Sequence, residues 1–303
     1  MDSFNSQFLY SVLIIALGYI LKRTNLIKEQ DGEGLARIIF NLTLPSLLIV
    51  TFHDIEIDSS LILLIVIAIV YGLIQAALGL FLFKNEEKRT KGMLSMMAPG
   101  FNIGLFAFPL VEAIWGKEGL KYFGMFDFGN ALIVFGVIYV IGSIYSDAGE
   151  RKDLKHVVGK VTKSVPLITY VTVCTLNFTG VTIPSVILQV SETISVANMP
   201  LSLLLLGIYL NFSFAKGSSR QIIKLLSLRY VVGLGIGILL FMFLPFESMF
   251  KYTVLIALIL PMSASVLPYA VEFDYDRKFV GTVSNITIIV SFFLLWGVGT
   301  LLI

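Results

Sequence analysis

Ten apolar runs of 15 to 28 residues, parted by short polar stretches, dominate the chain, at 8–22, 34–52, 60–83, 91–114, 119–146, 160–178, 186–213, 222–244, 250–271 and 279–302. About 20 apolar residues in a helix span the roughly 30 Å hydrocarbon core of a bilayer. The pattern therefore predicts an all-α polytopic membrane protein of ten transmembrane helices. The first run is short, but Lys22 and Arg23 follow it and can extend their stems to the interface. No basic residue precedes that run, so it reads as a first helix and not as a cleaved leader.

Composition agrees. Of the 303 residues 57% are hydrophobic and 14% charged, with a mean hydropathy of +0.90, against about 25% charged in soluble domains. A net charge of +2 gives no reason to expect a nucleic-acid partner. Cys174 is the sole cysteine, and the two histidines, His53 and His156, fall in loops. No multi-cysteine metal site or nucleophile–base pair is available, so neither enzyme chemistry nor a cofactor is expected.

The charges set an orientation. Nineteen of the 22 basic residues fall in loops 1–2, 3–4, 5–6, 7–8 and 9–10, leaving Lys117, Lys121 and Lys251 for the opposite side. The positive-inside rule then places those five loops in the cytoplasm and both termini outside the cell membrane.

Prolines suggest an internal repeat. Asn41-Leu-Thr-Leu-Pro45 in the second run matches Asn198-Met-Pro200 in the seventh, with prolines 155 residues apart. Pro109 and Pro268, in the fourth and ninth runs, are 159 apart, and each precedes a glutamate, Glu112 and Glu272. The chain then divides into a five-helix unit, 1–148, a cytoplasmic connection, 149–163, and a second unit, 164–303. An odd number of spans per unit makes the two inverted.

The fourth and ninth runs carry the chemistry. Each has two prolines around small or polar residues: Pro99-Gly-Phe-Asn102-Ile-Gly104 up to Pro109, and Pro261-Met-Ser263-Ala-Ser265 up to Pro268. Proline removes a backbone donor and clashes with the preceding turn, so both segments should open within the membrane. Matched interruptions in two halves are the sequence mark of a transporter binding site. Half-helices beginning near Leu105 and after Ser265 would present positive dipole ends to an anion such as a carboxylate. Asn102, Ser263 and Ser265 would add directional hydrogen bonds.

Asp127 is the acid placed deepest in a run, and Asn130 shares its helix face at i, i+3. The pair reads either as a coupling-ion site, for H+ or Na+, or as a packing contact. Asn285, 155 residues after Asn130, has the same two readings. Asn41 and Asn198 either cap backbone freed by the neighbouring prolines or touch a substrate. Gly233, Gly235 and Gly237 are expected to allow close helix packing.

Leu44-Pro-Ser-Leu-Leu, Asn102-Ile-Gly-Leu-Phe-Ala-Phe-Pro109, Met199-Pro-Leu-Ser-Leu-Leu-Leu-Leu-Gly207 and the Pro261–Pro268 segment occur in the order and spacing of one family. Over essentially its whole length the chain resembles the auxin efflux carriers. The resemblance implies two inverted five-helix repeats, with helices 4 and 9 crossing at their broken centres. It also implies helices 1, 2, 6 and 7 as a scaffold for elevator motion, and a small organic anion, a dicarboxylate or an auxin-like acid, as substrate. Bile-acid:sodium symporters share the architecture, so a sodium-coupled carrier stays open, as do a channel and an intramembrane enzyme; a homodimer is compatible with either carrier. A reporter fused after Ile303 is expected to read extracytoplasmic, and a cytoplasmic signal would refute the ten-span topology.

Overall fold

The computed structural model describes residues 2–146, 159, 162–211 and 219–302. The described residues are helical apart from short connections and one isolated antiparallel bridge, Phe101 to Met262. Most of the connection expected at 149–163 lies outside the described residues, with Arg151, Lys152, Lys155, His156 and Lys160; so does Lys216.

Helix α1 (Asp2–Arg23) leads by a short turn to α2 (Asp31–Ile38), a π-helical segment (Ile39–Thr43) and α3 (Leu44–Phe52). Pro45 stands at the start of α3, directly after the π segment; its ring removes one helical hydrogen bond, and the wider π turn before it makes room for the ring. Helix α4 (Ser59–Leu82) is capped by Asp58, whose carboxylate accepts from the Leu61 amide at 2.9 Å and the Ser60 hydroxyl at 2.6 Å. Those two bonds hold the Asp58 carboxyl below its ordinary range.

The fourth expected run is split. Helix α5 (Lys88–Met96) stops before Pro99, the chain passes through Gly100 in the left-handed region (φ +76°), and helix resumes as a π segment (Ile103–Ala107) and α6 (Phe108–Leu132). Helix then continues to Tyr145, through a second π segment (Ile133–Ile138) and α7 (Tyr139–Tyr145). The 43 residues from Ile103 to Tyr145 would measure about 65 Å if straight, twice a bilayer core. They are not straight. Gly116 leaves helical geometry, and a Cβ on Gly119 would lie 2.7 Å from a Val111 side-chain atom, where one continuous helix would set those residues about 12 Å apart.

The remaining helices are α8 (Val165–Phe178), α9 (Ser185–Ser195), α10 (Asn198–Tyr209) and α11 (Ser219–Phe243). The ninth expected run is split like the fourth, into α12 (Ser248–Ala257) and α13 (Val266–Glu272), before α14 (Arg277–Leu302) closes the chain. Among the described residues, seven helices are long and apolar enough to cross a membrane. One apolar face of α4, Ile62, Val66, Val70 and Leu73, is exposed at helical spacing, as are Leu9, Leu13, Leu17 and Ile20 of α1. Such stripes belong against lipid.

Glycines fix the closest crossings. Gly18 of α1 meets Gly207 of α10 so tightly that a Cβ on Gly207 would lie 2.0 Å from the Ile15 carbonyl oxygen. Gly233 of α11 lies against the end of α12, where a Cβ would stand 2.3 Å from the Leu258 carbonyl. Gly237 is also close, with Leu255 at 2.9 Å, but Gly235 faces open space. The expected close packing thus belongs to two of the three glycines. Gly233→Ala is expected to lower the thermal midpoint of the detergent-purified protein by several degrees, and Gly235→Ala to leave it within a degree or raise it slightly. Equal gains in the two variants would show that helix propensity outweighs the contact at Gly233.

Candidate functional site

The two proline-broken segments meet. Phe101 bridges Met262, and the Asn102 amide donates to the Pro261 carbonyl at 2.9 Å. Each break has an upstream half-helix that ends and a downstream one that begins: α5 and the Ile103 segment on one side, α12 and α13 on the other. The second proline of each pair does not break anything. Pro109 follows the π turn Ile103–Ala107, whose wider spacing makes room for the ring, and Pro268 stands in the first turn of α13, where the ring is compatible with helix. The breaks belong to Pro99-Gly100 and Pro261.

Side chains from the following helices secure the broken backbone. Asn130 accepts from the Phe101 amide at 2.9 Å and donates to the Phe101 carbonyl at 3.1 Å. On the other break the Met262 amide donates to Thr287 Oγ1 at 3.3 Å. Thr287 is therefore the counterpart of Asn130. Asn285, which sequence spacing singled out, accepts from the Asn211 amide at 3.0 Å and donates to the Gly281 carbonyl at 2.9 Å. Two residues along a helix is a turn of about 200°, which sends the two side chains to opposite faces. Sequence distance located the helix turn but not the face.

At the start of the downstream half-helix, Asn102 Oδ1 accepts from the Leu105 amide at 3.3 Å, and the Ala107 amide reaches the Asn102 carbonyl. One of the expected free amides is thus met by Asn102 itself. Its Nδ2 donor has no protein acceptor among the described residues. Ser263 plays the matching part: its hydroxyl accepts from the Ser265 amide at 3.3 Å and its carbonyl from the Val266 amide at 3.2 Å. Asn102 and Ser263 are buried, Ser265 is half-buried and Pro268 exposed. Gly104 faces α3 and the π turn before it, with Leu44 3.3 Å and Phe40 3.6 Å from where its Cβ would stand.

Asp127 is linked to this centre through Asn130, whose Nδ2 it accepts at 3.1 Å, and to α8 through the Tyr170 hydroxyl at 3.2 Å. Thr43 donates to Asn198 Oδ1 at 3.0 Å, both side chains being buried, so Asn198 serves a contact between two helices. Asn41 is exposed and bonds the Arg37 carbonyl one turn back. Pro200 lies near the start of α10.

Arg229 was missed. Sequence counting assigned it to a cytoplasmic loop; the structure puts it within α11, 2% exposed, with its guanidinium at the meeting of the breaks. Nη1 donates to Met97 O (3.2 Å) and Ala98 O (2.6 Å), Nη2 to Gly100 O (3.1 Å) and Leu260 O (3.2 Å). It also stacks over the Phe101 ring at 5.2 Å, whose ring packs near Tyr71 at 5.9 Å. Its position in the sequence, ten residues into an apolar helix that begins at Ser219, was the available signal. With Arg229 removed from the loops, eighteen basic residues still oppose three.

A model of the family described as membrane transport protein matches residues 6–166. The chain belongs to that family, the one that includes the auxin efflux carriers. It is 26% identical to an uncharacterized transporter of Methanothermobacter thermautotrophicus over 295 residues, 95% of each chain. An uncharacterized transporter of Methanocaldococcus jannaschii is 24% identical over 301 residues, 94% of this chain and 95% of the other. The protein is thus a multi-pass membrane protein of a transporter family, and the resemblance drawn from its proline motifs holds. In this member of the family the buried amide of Met262 depends on Thr287. Thr287→Val is expected to cost about 1–3 kcal/mol by stranding that donor, seen as a lower thermal midpoint. Asn285→Ala, whose partners lie away from the breaks, is expected to cost less than half as much; the reverse order would make Asn285 the structural residue.

Proposed function

We propose that the protein is a secondary carrier that moves a small organic anion across the cell membrane by an elevator motion. The observation that carries this reading is the meeting of the two broken segments at Phe101 and Met262. Backbone opened inside a membrane survives only where protein or a wet cavity answers it, and paired openings near the midplane are where carriers bind their cargo. On this reading the chain forms ten spans in two inverted halves, 1–148 and 164–303, with the split fourth and ninth helices crossing. Both termini lie outside the cell.

An anion is favoured by charge. Two half-helices begin at the meeting point, each worth about half a positive charge at its start, and Arg229 offsets the opposed negative ends of the two half-helices that stop there, its hydrogen bonds going to carbonyls. The free Nδ2 of Asn102 and the hydroxyls of Ser263 and Ser265 suit a carboxylate, while Gly104 lets the opened segment pack against Leu44 and Phe40. Pro109, Pro261 and Pro268 shape the half-helices and do not themselves bond a substrate.

Two further observations support the elevator. A cleft of about 410 Å³ is lined by Thr51 at the end of α3, by Asp54 and Glu56 beyond it, and by Lys117, Glu118 and Lys121 after the Gly116 turn. It separates a proposed scaffold helix from a proposed moving one. The Tyr170–Asp127 bond joins the same two bodies. Protonation of Asp127 would turn one of its oxygens into a donor and weaken its acceptance from Tyr170 and Asn130, which couples a proton to release of the moving body.

Proteoliposome counterflow with a panel of small carboxylates tests the reading. Saturable, trans-stimulated exchange is expected, lost by at least tenfold in Asn102→Ala with membrane insertion intact, while Asp127→Asn keeps exchange but loses acceleration by a pH gradient. Flux without trans-stimulation would indicate a channel, and unchanged transport in Asn102→Ala would remove that residue from the site.

A further inference from the structure

Two half-helices, α5 and α12, end at the meeting of the breaks. Helix C-termini are the negative ends of their dipoles and leave carbonyls without helical partners. In the backbone just past those ends, Met97, Ala98, Gly100 and Leu260 turn their carbonyls towards one point, drawn from both breaks. A cage of converging backbone carbonyls is the ligand set that holds alkali cations in membrane proteins. Unwound carbonyls and half-helix C-termini are likewise where carriers seat a coupling sodium. In this protein the point of convergence is taken by the guanidinium of Arg229.

We propose that Arg229 is a resident cation: it fills a carbonyl cage that would otherwise bind a free alkali cation, and so closes the crossing to sodium. Three features favour this over a packing role. Four of the five guanidinium donors are specified, two per nitrogen, and the fifth, on Nε, is buried without a partner. The acceptors are all carbonyls, so among the described residues the charge balances two dipole ends and not a side-chain carboxylate. The approach of α11 is also built for the contact, since Gly233, one turn beyond Arg229, permits its passage at the Leu258 carbonyl. A guanidinium stays charged in proteins, so the cage holds its cation at any working pH and Arg229 sets ion selectivity by exclusion.

The inference deepens the carrier reading, on which its meaning for transport rests, but its test is independent of transport. The thermal midpoint of the purified full chain is measured against NaCl, with choline chloride at equal concentration as control. The wild type is expected to respond equally to both salts. Arg229→Ala is expected to start lower and then to rise saturably with sodium over choline, by about 4 °C. Arg229→Lys, which keeps a charge but fewer donors, is expected to be less stable than wild type and insensitive to sodium. If Arg229→Ala does not fold, Arg229→Gln takes its place, and failure of both to fold even in sodium, where the emptied cage should be filled, would overturn the proposal. Sodium-specific stabilisation of the wild type would overturn the proposal. So would a neutral variant that folds and shows no response to sodium, or a lysine variant that responds like alanine. Absent counterflow with these salt responses intact would instead refute the carrier reading alone.

Discussion

Carbonyls that lose their helical partners inside a membrane must be answered by the protein itself, because no water is there to do it. Four such carbonyls, from two separate breaks, are answered here by one guanidinium. Without it the negative ends of α5 and α12 would converge in a low-dielectric setting, where like charges repel most strongly. The rest of the centre is arranged on that point. Phe101 lies under the guanidinium, Tyr71 lies near Phe101, and Gln75 ties the Tyr71 hydroxyl to the Leu228 carbonyl beside Arg229.

The amide side of the breaks is met differently. Asn130 closes on both backbone groups of Phe101, whereas Thr287 takes the Met262 amide alone. An asparagine offers both a donor and an acceptor to one residue; a threonine offers a single hydroxyl, and this one gives its proton to Ser284 at 2.7 Å. The two sides are therefore alike in plan and unlike in chemistry. Among the described residues, the Asn130 side has an acid bonded to its securing side chain, Asp127, and that acid is joined to α8 through Tyr170. A proton-sensitive contact on one side gives a proposed two-body carrier a way to tell its states apart.

Much of this was legible beforehand, for a reason particular to membranes. Long apolar runs have one stable form there, so the segments at 34–52, 60–83, 222–244 and 279–302 correspond to helices within a few residues. The prolines were as informative, because Pro99 and Pro261 cannot continue a helix and the breaks fall on them. What misled was distance along the chain. Counting 155 residues from Asn130 reached Asn285, but the residue that holds the second break is Thr287, 157 residues on, and a shift of two residues reverses the helix face. Arg229 was hidden by a statistical rule: basic residues near span ends mark the cytoplasm, and a single buried exception looks the same in sequence.

The sequence by itself determined the membrane class, the family and the places where two helices must open, since hydropathy and missing donors act locally. Only the tertiary structure decided which groups meet the opened backbone. That choice depends on atoms more than a hundred residues apart, such as Arg229 and Met97, 132 residues from one another yet 3.2 Å apart in space. Their pairing follows from how α11 passes the breaks, which packing at Gly233 sets and no local pattern encodes.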